Sequence, residues 1–324
     1  MEVAARPKDS IKNRIVDILS NNAILFLMLL LVSVVAILYP RFLTLANFNN
    51  ILNQISVIGC LACGMTFVLL IGCIDLSVGS MMSLIGIMAV TVANGGREWL
   101  AIILPILAAG AIGLIKGGII AGVNGRLGES FITTYGAQSV LAALALIIQG
   151  GLFMMVTATG IFTRIGKGAN PAYVFFALIV ICQFILTKTS FGRKLLFVGS
   201  NPKAARLSGV NIKFYFLMAF MMCGLISGIA GVLLPSRVMS ANPTAGTNYE
   251  LEAIAACVVG GVSMKGGSGS FVNTLIGVIV IGVLSNSMNL LGLSSYPQMI
   301  VKGFVIALAF ALDVVNKRRQ MQRG

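Results

Sequence analysis

The sequence contains no histidine, only one tryptophan, and few charged residues, which make up 10% of the chain. Histidine is the usual general base in catalysis and a frequent zinc ligand, so its absence argues against a hydrolytic centre and against zinc at the CxxC of Cys60 and Cys63. That CxxC also has no second cysteine pair. All six cysteines lie in apolar segments and are predicted to pack as small core side chains: Cys60, Cys63, Cys73, Cys182, Cys223 and Cys257.

Two motifs of nucleotide and acyl chemistry are also missing. There is no GxxxxGK[ST] loop, and the nearest stretch, IGKGAN at residues 165–170, lacks the first glycine and the hydroxyl residue. There is no GxSxG nucleophile elbow either. The chain is therefore predicted to be no enzyme, to need no cofactor and to hydrolyse no ATP by itself.

The net charge of +14 raises the possibility of nucleic-acid binding, which the distribution of the charges disfavours. The 23 lysines and arginines fall in the gaps between apolar runs, without the interleaved aromatic residues that stack on bases. Hydrophobic residues make up 58% of the chain, against about 45–50% in soluble domains. This composition indicates a membrane protein.

Ten uncharged runs have about the length needed to cross a bilayer, which takes roughly 20 residues and at least about 17. They are residues 23–39, 55–73, 76–93, 99–115, 133–153, 171–187, 214–234, 250–264, 271–288 and 298–314. The eighth is short and interrupted by glycine, so it is predicted to be broken or re-entrant. The predicted fold is all-α, with about ten transmembrane helices.

The basic residues predict how the chain is oriented. With the N-terminus inside, the cytoplasmic gaps hold 17 lysines and arginines, among them Lys116, and the outer gaps hold 5. This bias predicts cytoplasmic termini. No gap is long enough for a separate domain, so residues 1–324 are predicted to form one membrane domain with a cytoplasmic tail at about 1–20, a cytoplasmic loop at about 188–213 and a second tail at about 315–324.

Each half of the chain contains one glycine-rich interruption of an apolar run. These are CIDLSVGSMM at 73–82 and VVGGVSMKGGSGS at 258–270. Paired interruptions indicate a transporter built from two related halves with its pathway at their junction. The similarity between the two halves is too weak to establish a repeat.

The basic loop at 188–213 contains a predicted short helix. Asn201 is a good N-cap, Pro202 suits the first helical position, and Gly209 can end the helix in the left-handed region. Residues 202–208 would place Ala204, Ala205 and Leu207 on an apolar face opposite Lys203 and Arg206. This helix fits either a contact with a partner protein or an interfacial position on anionic lipid.

Two groups of carboxylates stand at the edges of predicted spans. Asp75 precedes the third span, where it is either a functional residue or, with Ser77, the cap of the helix that follows. Glu250 and Glu252 begin the eighth span, and Thr247 has the spacing of a capping box with Glu250. The alternative is that these carboxylates accept hydrogen bonds from sugar hydroxyls.

Four segments, in the same order and spacing, resemble the membrane permeases of ribose-type monosaccharide ABC importers, a family that also includes branched-chain amino acid permeases. The resemblance extends over roughly residues 20–315 and is poorest at 150–170. The segments are GMTFVLLIGCIDLSVGS at 64–80, VGSNPKAARLSGVN at 198–211, ANPTAGTNYELEAIAACVVGGVSMKGGSGS at 241–270 and LLGLSSYPQMIVKGFVIALA at 290–309.

The resemblance implies a permease homodimer in the bacterial inner membrane, served by a cytoplasmic ABC ATPase subunit and a periplasmic sugar-binding protein. It implies that a coupling element contacts the ATPase through Gly199, Asn201, Pro202, Ala204, Ala205, Arg206 and Gly209. It also points, more loosely, to a translocation pathway at Asn53, Thr66, Asp75, Ser77, Ser80, Asn248, Glu250 and Glu252. An ion-coupled secondary transporter of a small polar solute is the alternative, which we disfavour because every carboxylate lies at a predicted span end or in a gap.

Overall fold

The computed structural model describes residues 32–123, 125, 127–294, 296–305, 307–308 and 311. By their internal contacts these residues divide into two compact units, one made of residues 45–282 and the other of residues 1–44 with 283–324. In the second unit the described part contains helical residues 32–38, a 3-10 turn at Pro40–Leu43, the end of the helix Phe271–Leu290, and helical residues 296–305.

The first unit is almost entirely helical. Its elements in chain order are α1 (Leu45–Leu70), α2 (Val78–Asn94), α3 (Glu98–Gly122), α4 (Leu127–Gln149), β1 (Met154–Met155), α5 (Ile161–Ile165), α6 (Asn170–Lys188), α7 (Ser190–Ser200), α8 (Pro202–Leu207), α9 (Ile212–Val238), β2 (Ser240–Ala241), α10 (Tyr249–Val259) and α11 (Phe271–Leu290), which continues into the other unit.

Six of the described helices are long and apolar enough to cross a membrane, namely α1, α3, α4, α6, α9 and α11. Helix α2 has 17 residues and α10 only 11, or about 16 Å, so α10 alone is too short for a ~30 Å hydrocarbon layer. The protein is an all-α membrane protein as predicted, but the count of about ten spans is not confirmed. The first and last predicted spans, and the two predicted tails, lie partly or wholly outside the described residues.

Small residues bring α3 and α9 into close contact. A Cβ on Gly113 would overlap the backbone of Phe220, and one on Gly224 would overlap the backbone of Ala109. Without a hydrophobic effect between helices in lipid, close backbone approach of this kind is a main source of packing energy. The contact fixes α3 against the centre of the unit, where its Lys116 is buried.

The core of this unit lies around α1 and α2. Residues 55–70 of α1 are all buried, and so are 12 of the 17 residues of α2. The six cysteines are free and buried, as predicted. Helix α4 is different, since only four of its residues are buried and its apolar side chains are mostly exposed.

The connection between α4 and α6 is held in place by side chains from the loop end of α2 and the start of α3. Strand β1 pairs antiparallel with β2, with Met154 opposite Ala241. Glu98 accepts hydrogen bonds from the N–H groups of Gly160 and Phe162 at 2.7 and 2.8 Å, at the N-terminus of α5. A carboxylate there is favoured by the exposed N–H groups of the first turn.

Candidate functional site: two interrupted helices and a polar helix face

The first interruption is the non-helical segment 71–77 between α1 and α2, and it is buried throughout. Buried backbone groups outside a helix need other partners. Two hydroxyls of α4 supply them, because Ile74 N–H donates to Ser130 Oγ and Leu76 N–H donates to Thr134 Oγ1, both at 3.1 Å. The hydroxyls in turn donate to carbonyls of α4 itself. Two backbone N–H groups of this non-helical segment are thus bonded inside the protein by side chains of α4.

At the centre of this segment Asp75 forms a buried ion pair. Lys116 Nζ, from α3, donates to Asp75 Oδ2 and to Ser77 Oγ, each at 2.6 Å. The other carboxylate oxygen, Oδ1, accepts from the N–H and the hydroxyl of Ser77 at 3.0 and 2.7 Å. Asp75 is 0% and Lys116 3% exposed. The pair is fully hydrogen-bonded, which is the condition under which buried opposite charges are tolerated.

This pair corrects two sequence interpretations. Lys116 does not lie in a cytoplasmic gap as counted for the orientation; it is buried inside α3. The cap interpretation is also wrong as stated, because Ser77 is the N-cap residue of α2 but makes no side-chain capping bond. Asp75 binds the N–H of Ser77, and its second oxygen is taken by a lysine that lies 41 positions away in the sequence.

The predicted second interruption, 258–270, lies between α10 and α11, and a further non-helical segment, 239–248, connects α9 to α10. This segment 239–248 meets the first interruption at the N-terminus of α2. A Cβ on Gly79 would overlap the carbonyl oxygen of Gly246 and the carboxylate of Glu250, and a Cβ on Gly246 would overlap Gly79. Ser83 Oγ accepts the N–H of Gly246 at 2.8 Å. The N-termini of the two short helices, α2 and α10, are therefore adjacent, and glycine is required at both contact points.

Glu250 lies at this junction and is 5% exposed. Its Oε1 accepts a hydrogen bond from Gln138 Nε2 of α4 at 3.1 Å. The N–H groups of Asn248 and Glu250 lie near the carboxylate, yet within the described residues Oε2 has no hydrogen-bond partner. The capping box predicted from Thr247 is wrong, since α10 starts after Asn248 in the left-handed conformation and Thr247 Oγ1 donates to Thr244 O.

The predicted coupling helix is confirmed as a structure. Asn201 Oδ1 accepts from Ala204 N–H at 3.0 Å and caps α8, Pro202 is its first residue, and Gly209 has φ of +77°. The N–H of Val210 donates to Ala205 O, which closes the C-terminus in a Schellman arrangement.

The predicted apolar side chains of α8 differ in their exposure. Ala205 is fully buried, but Leu207 is 90% exposed. Among the described residues α8 therefore packs on the protein through Ala205 and presents Leu207 and Arg206 outward.

Just before α8, Gly199 lies beside both glycine-rich interruptions, the segment 71–77 and the loop before α11. A Cβ on Gly199 would overlap Leu70 O and crowd Gly267 N. Gly267 N–H also donates to Leu70 O at 2.9 Å, and Gly266 lies against Gly72. The end of α1, the end of α7 and the loop before α11 thus meet backbone to backbone.

Comparisons with known proteins identify the family of the chain. Residues 47–310 match the family described as the permease component of the branched-chain amino acid transport system. The chain belongs to this permease family. It is 39% identical over 304 residues to the ribose import permease protein RbsC of Escherichia coli K12, covering 91% of this chain and 93% of that protein.

Two further relatives extend the comparison. The ribose import permease protein RbsC of Bacillus subtilis is 42% identical over 291 residues, covering 88% of this chain and 89% of that protein. The L-arabinose ABC transporter permease protein AraH of Azospirillum brasilense is 33% identical over 314 residues, covering 94% and 91%. No solved structure matches the chain.

In this permease the polar contacts of α4 were not predicted from the sequence. Ser130, Thr134 and Gln138 are four residues apart and therefore share one face of the helix, which points at segment 71–77 and at the start of α10. A period of four among polar residues in an otherwise apolar span was the available signal. The partner of Asp75 had a signal too, because Lys116 lies inside an apolar, glycine-rich run.

The permease brings together only part of the predicted pathway set. Asp75 and Ser77 share the ion pair, and Glu250 lies beside Gly79. Thr66 is elsewhere, buried between α1, α10 and α11 with its hydroxyl 2.6 Å from Thr274 Oγ1. Asn53 is half-buried in α1, its carbonyl accepting from Arg237. The remaining predicted residues, Ser80, Asn248 and Glu252, are half-buried in the first turns of α2 and α10 or directly before them.

The permease also contains a cavity of about 210 Å³ between α2, α9 and the start of α10. It has a mixed lining that includes Ser83, Asn242 and Tyr249 beside Met82 and Pro235. Neither Asp75 nor Glu250 lines it. The cavity is thus distinct from the polar contacts described above.

Proposed function

We propose that this chain is the membrane-spanning permease subunit of an ATP-driven, binding-protein-dependent importer of a small sugar, ribose or a related monosaccharide. The observation that carries the proposal is identity of 39–42% to ribose import permeases over about nine-tenths of the chain. Because an L-arabinose permease is also 33% identical to this chain, the proposed substrate class is monosaccharides in general. The proposed location is the bacterial inner membrane, with both termini cytoplasmic.

The proposal includes three partners. A cytoplasmic ABC ATPase supplies the free energy, since the sequence has no nucleotide-binding loop of its own. A periplasmic sugar-binding protein delivers the sugar. A second permease copy completes the pathway, and the apolar residues exposed along α4 are compatible with contact to another chain or to lipid.

The mechanism we propose is alternating access driven through α8. Movement of the ATPase displaces α8, and Gly199, Leu70 and Gly267 pass that displacement to the ends of α1 and of the loop before α11. A displacement can shift the equilibrium only if α8 makes different contacts in the two states. The exposed side chain of Leu207 is the apolar group available for such contacts.

The experiment is ATP-dependent sugar uptake by the reconstituted importer, with Leu207→Glu as the test variant and Leu207→Met as its matched control. We expect Leu207→Glu to uncouple the ATPase, with stimulation by sugar-loaded binding protein falling at least about fivefold while the permease stays folded, because Leu207 packs on nothing within the described residues. Leu207→Met should keep stimulation. Ala205 is unsuitable for this test because it is fully buried. Undiminished stimulation in Leu207→Glu would count against the coupling assignment.

The alternative, an ion-coupled secondary transporter, gains one supporting observation. Asp75 and Glu250 stand at helix ends as predicted, but both side chains are buried, as are the titratable relays of such transporters. Uptake that continues without ATP and stops when the ion gradient is collapsed would favour this alternative. Uptake that requires ATP and the binding protein, with the gradient collapsed, would favour the importer.

A further inference from the structure

At the junction of α2 and α10, a buried acceptor and backbone donors have no hydrogen-bond partner among the described residues. The acceptor is Glu250 Oε2, which is buried and has no hydrogen-bond partner among the described residues. The donors belong to the first turn of α2, which has no side-chain cap and whose backbone bonding begins with Met81 N–H to Ser77 O. The N–H groups of that first turn have no partner inside the helix.

The donors and the acceptor lie side by side. Glu250 Oε2 occupies the space that a Cβ on Gly79 would need, so it lies against the first turn of α2 without capping it. A buried polar atom without a partner costs roughly 1–3 kcal/mol. A ligand that bonds to this atom would offset the cost. The half-buried Ser80 follows Gly79 in the same turn of α2.

A hydroxyl group fits this combination better than an ion does. It can donate to Glu250 Oε2 and accept from an N–H of α2 at the same time. A cation would be repelled by the positive ends of two helices, and an anion would be repelled by the carboxylate. Neutral polyhydroxyl compounds satisfy both sides of the junction.

We infer that Glu250 and the first turn of α2 form a hydroxyl-binding site on the path of the transported sugar. Gln138 is the positioning residue, since its amide holds Glu250 Oε1 and leaves Oε2 directed at the junction. This inference rests on the proposed function and adds to it a contact at which the permease itself touches the sugar.

The test uses the complete importer reconstituted in liposomes, with labelled D-ribose as the probe. Sugar flux and ATP hydrolysis are measured together at saturating binding protein, for Glu250→Gln and Gln138→Leu. We expect maximal ribose flux to fall about tenfold in Glu250→Gln, which is the loss of one hydrogen bond to a charged group. Stimulation of the ATPase by loaded binding protein should stay near the wild-type level, so less sugar enters per ATP.

Gln138→Leu tests the same site if Glu250→Gln does not fold. We expect it to lower ribose flux less than Glu250→Gln does, because Gln138 only positions the carboxylate. The matched control for Gln138 is Ser139→Ala, whose hydroxyl is exposed and bonds only within α4. Glu129→Gln, on the exposed first turn of α4, controls for loss of one negative charge.

The possible outcomes separate the inference from the proposed function. Wild-type flux in both Glu250→Gln and Gln138→Leu would overturn the hydroxyl-binding site and leave the importer intact. A flux loss matched by an equal loss of ATPase stimulation would also overturn it, because the defect would then lie in coupling. A wild-type importer that shows no ATP-dependent uptake of ribose or of any other monosaccharide would refute the proposed function, and with it this site.

Discussion

Segment 71–77 and the start of α10 differ in how completely their carboxylates are bonded. In segment 71–77 both oxygens of Asp75 have partners, and the N–H groups of Ile74 and Leu76 donate to hydroxyls of α4. At the start of α10 one oxygen of Glu250 is bonded, and the other has no partner among the described residues. A fully bonded buried network rigidifies a fold, whereas a buried polar atom without a partner is a group that a ligand can satisfy.

The difference separates a structural segment, 71–77, from the start of α10, where we have proposed the contact with the sugar. Segment 71–77 uses Lys116, Ser77, Ser130 and Thr134 to remain non-helical inside the protein. The start of α10 is held by backbone contact between Gly79 and Gly246, and its carboxylate of Glu250 is bonded through one oxygen only, to Gln138 of α4. Four predictions test this division, beginning with the largest expected effect.

Lys116→Met should destabilise the protein most. It removes the only cation bonded to Asp75 in the described part of the chain and leaves a buried charge uncompensated, which costs about 3–5 kcal/mol. The measurement is the free energy of unfolding in detergent by denaturant titration.

The control is Lys194→Met, since Lys194 is exposed in α7. Adding Asp75→Asn to Lys116→Met should restore much of the loss, because no unpaired charge then remains. A single variant as stable as the wild type would show that the first interruption is not held by its ion pair.

Gly79→Ala should have the next largest effect. Its methyl group would overlap Gly246 O and the carboxylate of Glu250, so the two short helices would have to separate. Overpacking of this kind typically lowers the free energy of unfolding by about 1–3 kcal/mol. The loss at Gly79 should lie at the upper end of this range, because the overlap with Gly246 is between two backbone segments.

The matched substitution is Gly136→Ala in α4, where nothing lies within 4 Å of the added carbon. It should leave the unfolding free energy unchanged or raise it by up to about 1 kcal/mol, as expected from helix propensity. Equal effects at positions 79 and 136 would contradict the close approach of α2 and α10.

Thr134→Val should have an intermediate effect. It removes the hydroxyl that accepts Leu76 N–H and keeps the shape of the side chain, so one buried donor loses its partner at a cost of about 1–3 kcal/mol. Thr134→Ser keeps the hydroxyl and should lose less. The melting temperature of the purified protein distinguishes the two, and a Val variant no worse than the Ser variant would refute the role of α4 in holding the first interruption.

The sequence predicted the parts of this molecule that depend on local chemistry. The membrane class, the burial of the cysteines and the short helix from Pro202 with its Asn201 cap follow from composition and from residues next to each other in the chain. The paired glycine interruptions also predicted where the helices break. These features need no knowledge of which helices are neighbours.

The contacts that define the site could not be predicted in the same way. Asp75 and Lys116 are 41 residues apart, and Gln138 and Glu250 are 112 apart, so their pairing depends on how α3 and α4 pack. Positional rules assigned Lys116 to a loop because it follows an apolar run of 17 residues, but α3 continues to Gly122 and buries it. The exposure of Leu207 was missed because a six-residue helix is too short for periodicity to define its faces.

Glu250→Gln should have the smallest effect on stability, and it tests the division most directly. The amide keeps an oxygen that accepts from Gln138, and the oxygen it replaces makes no hydrogen bond, so the unfolding free energy should change by less than about 1 kcal/mol. The matched substitution Asp75→Asn leaves Lys116 buried without a negative partner and should cost several times more. If the two variants lose equal stability, Glu250 is as structural as Asp75, and the unbonded oxygen is no sign of a ligand.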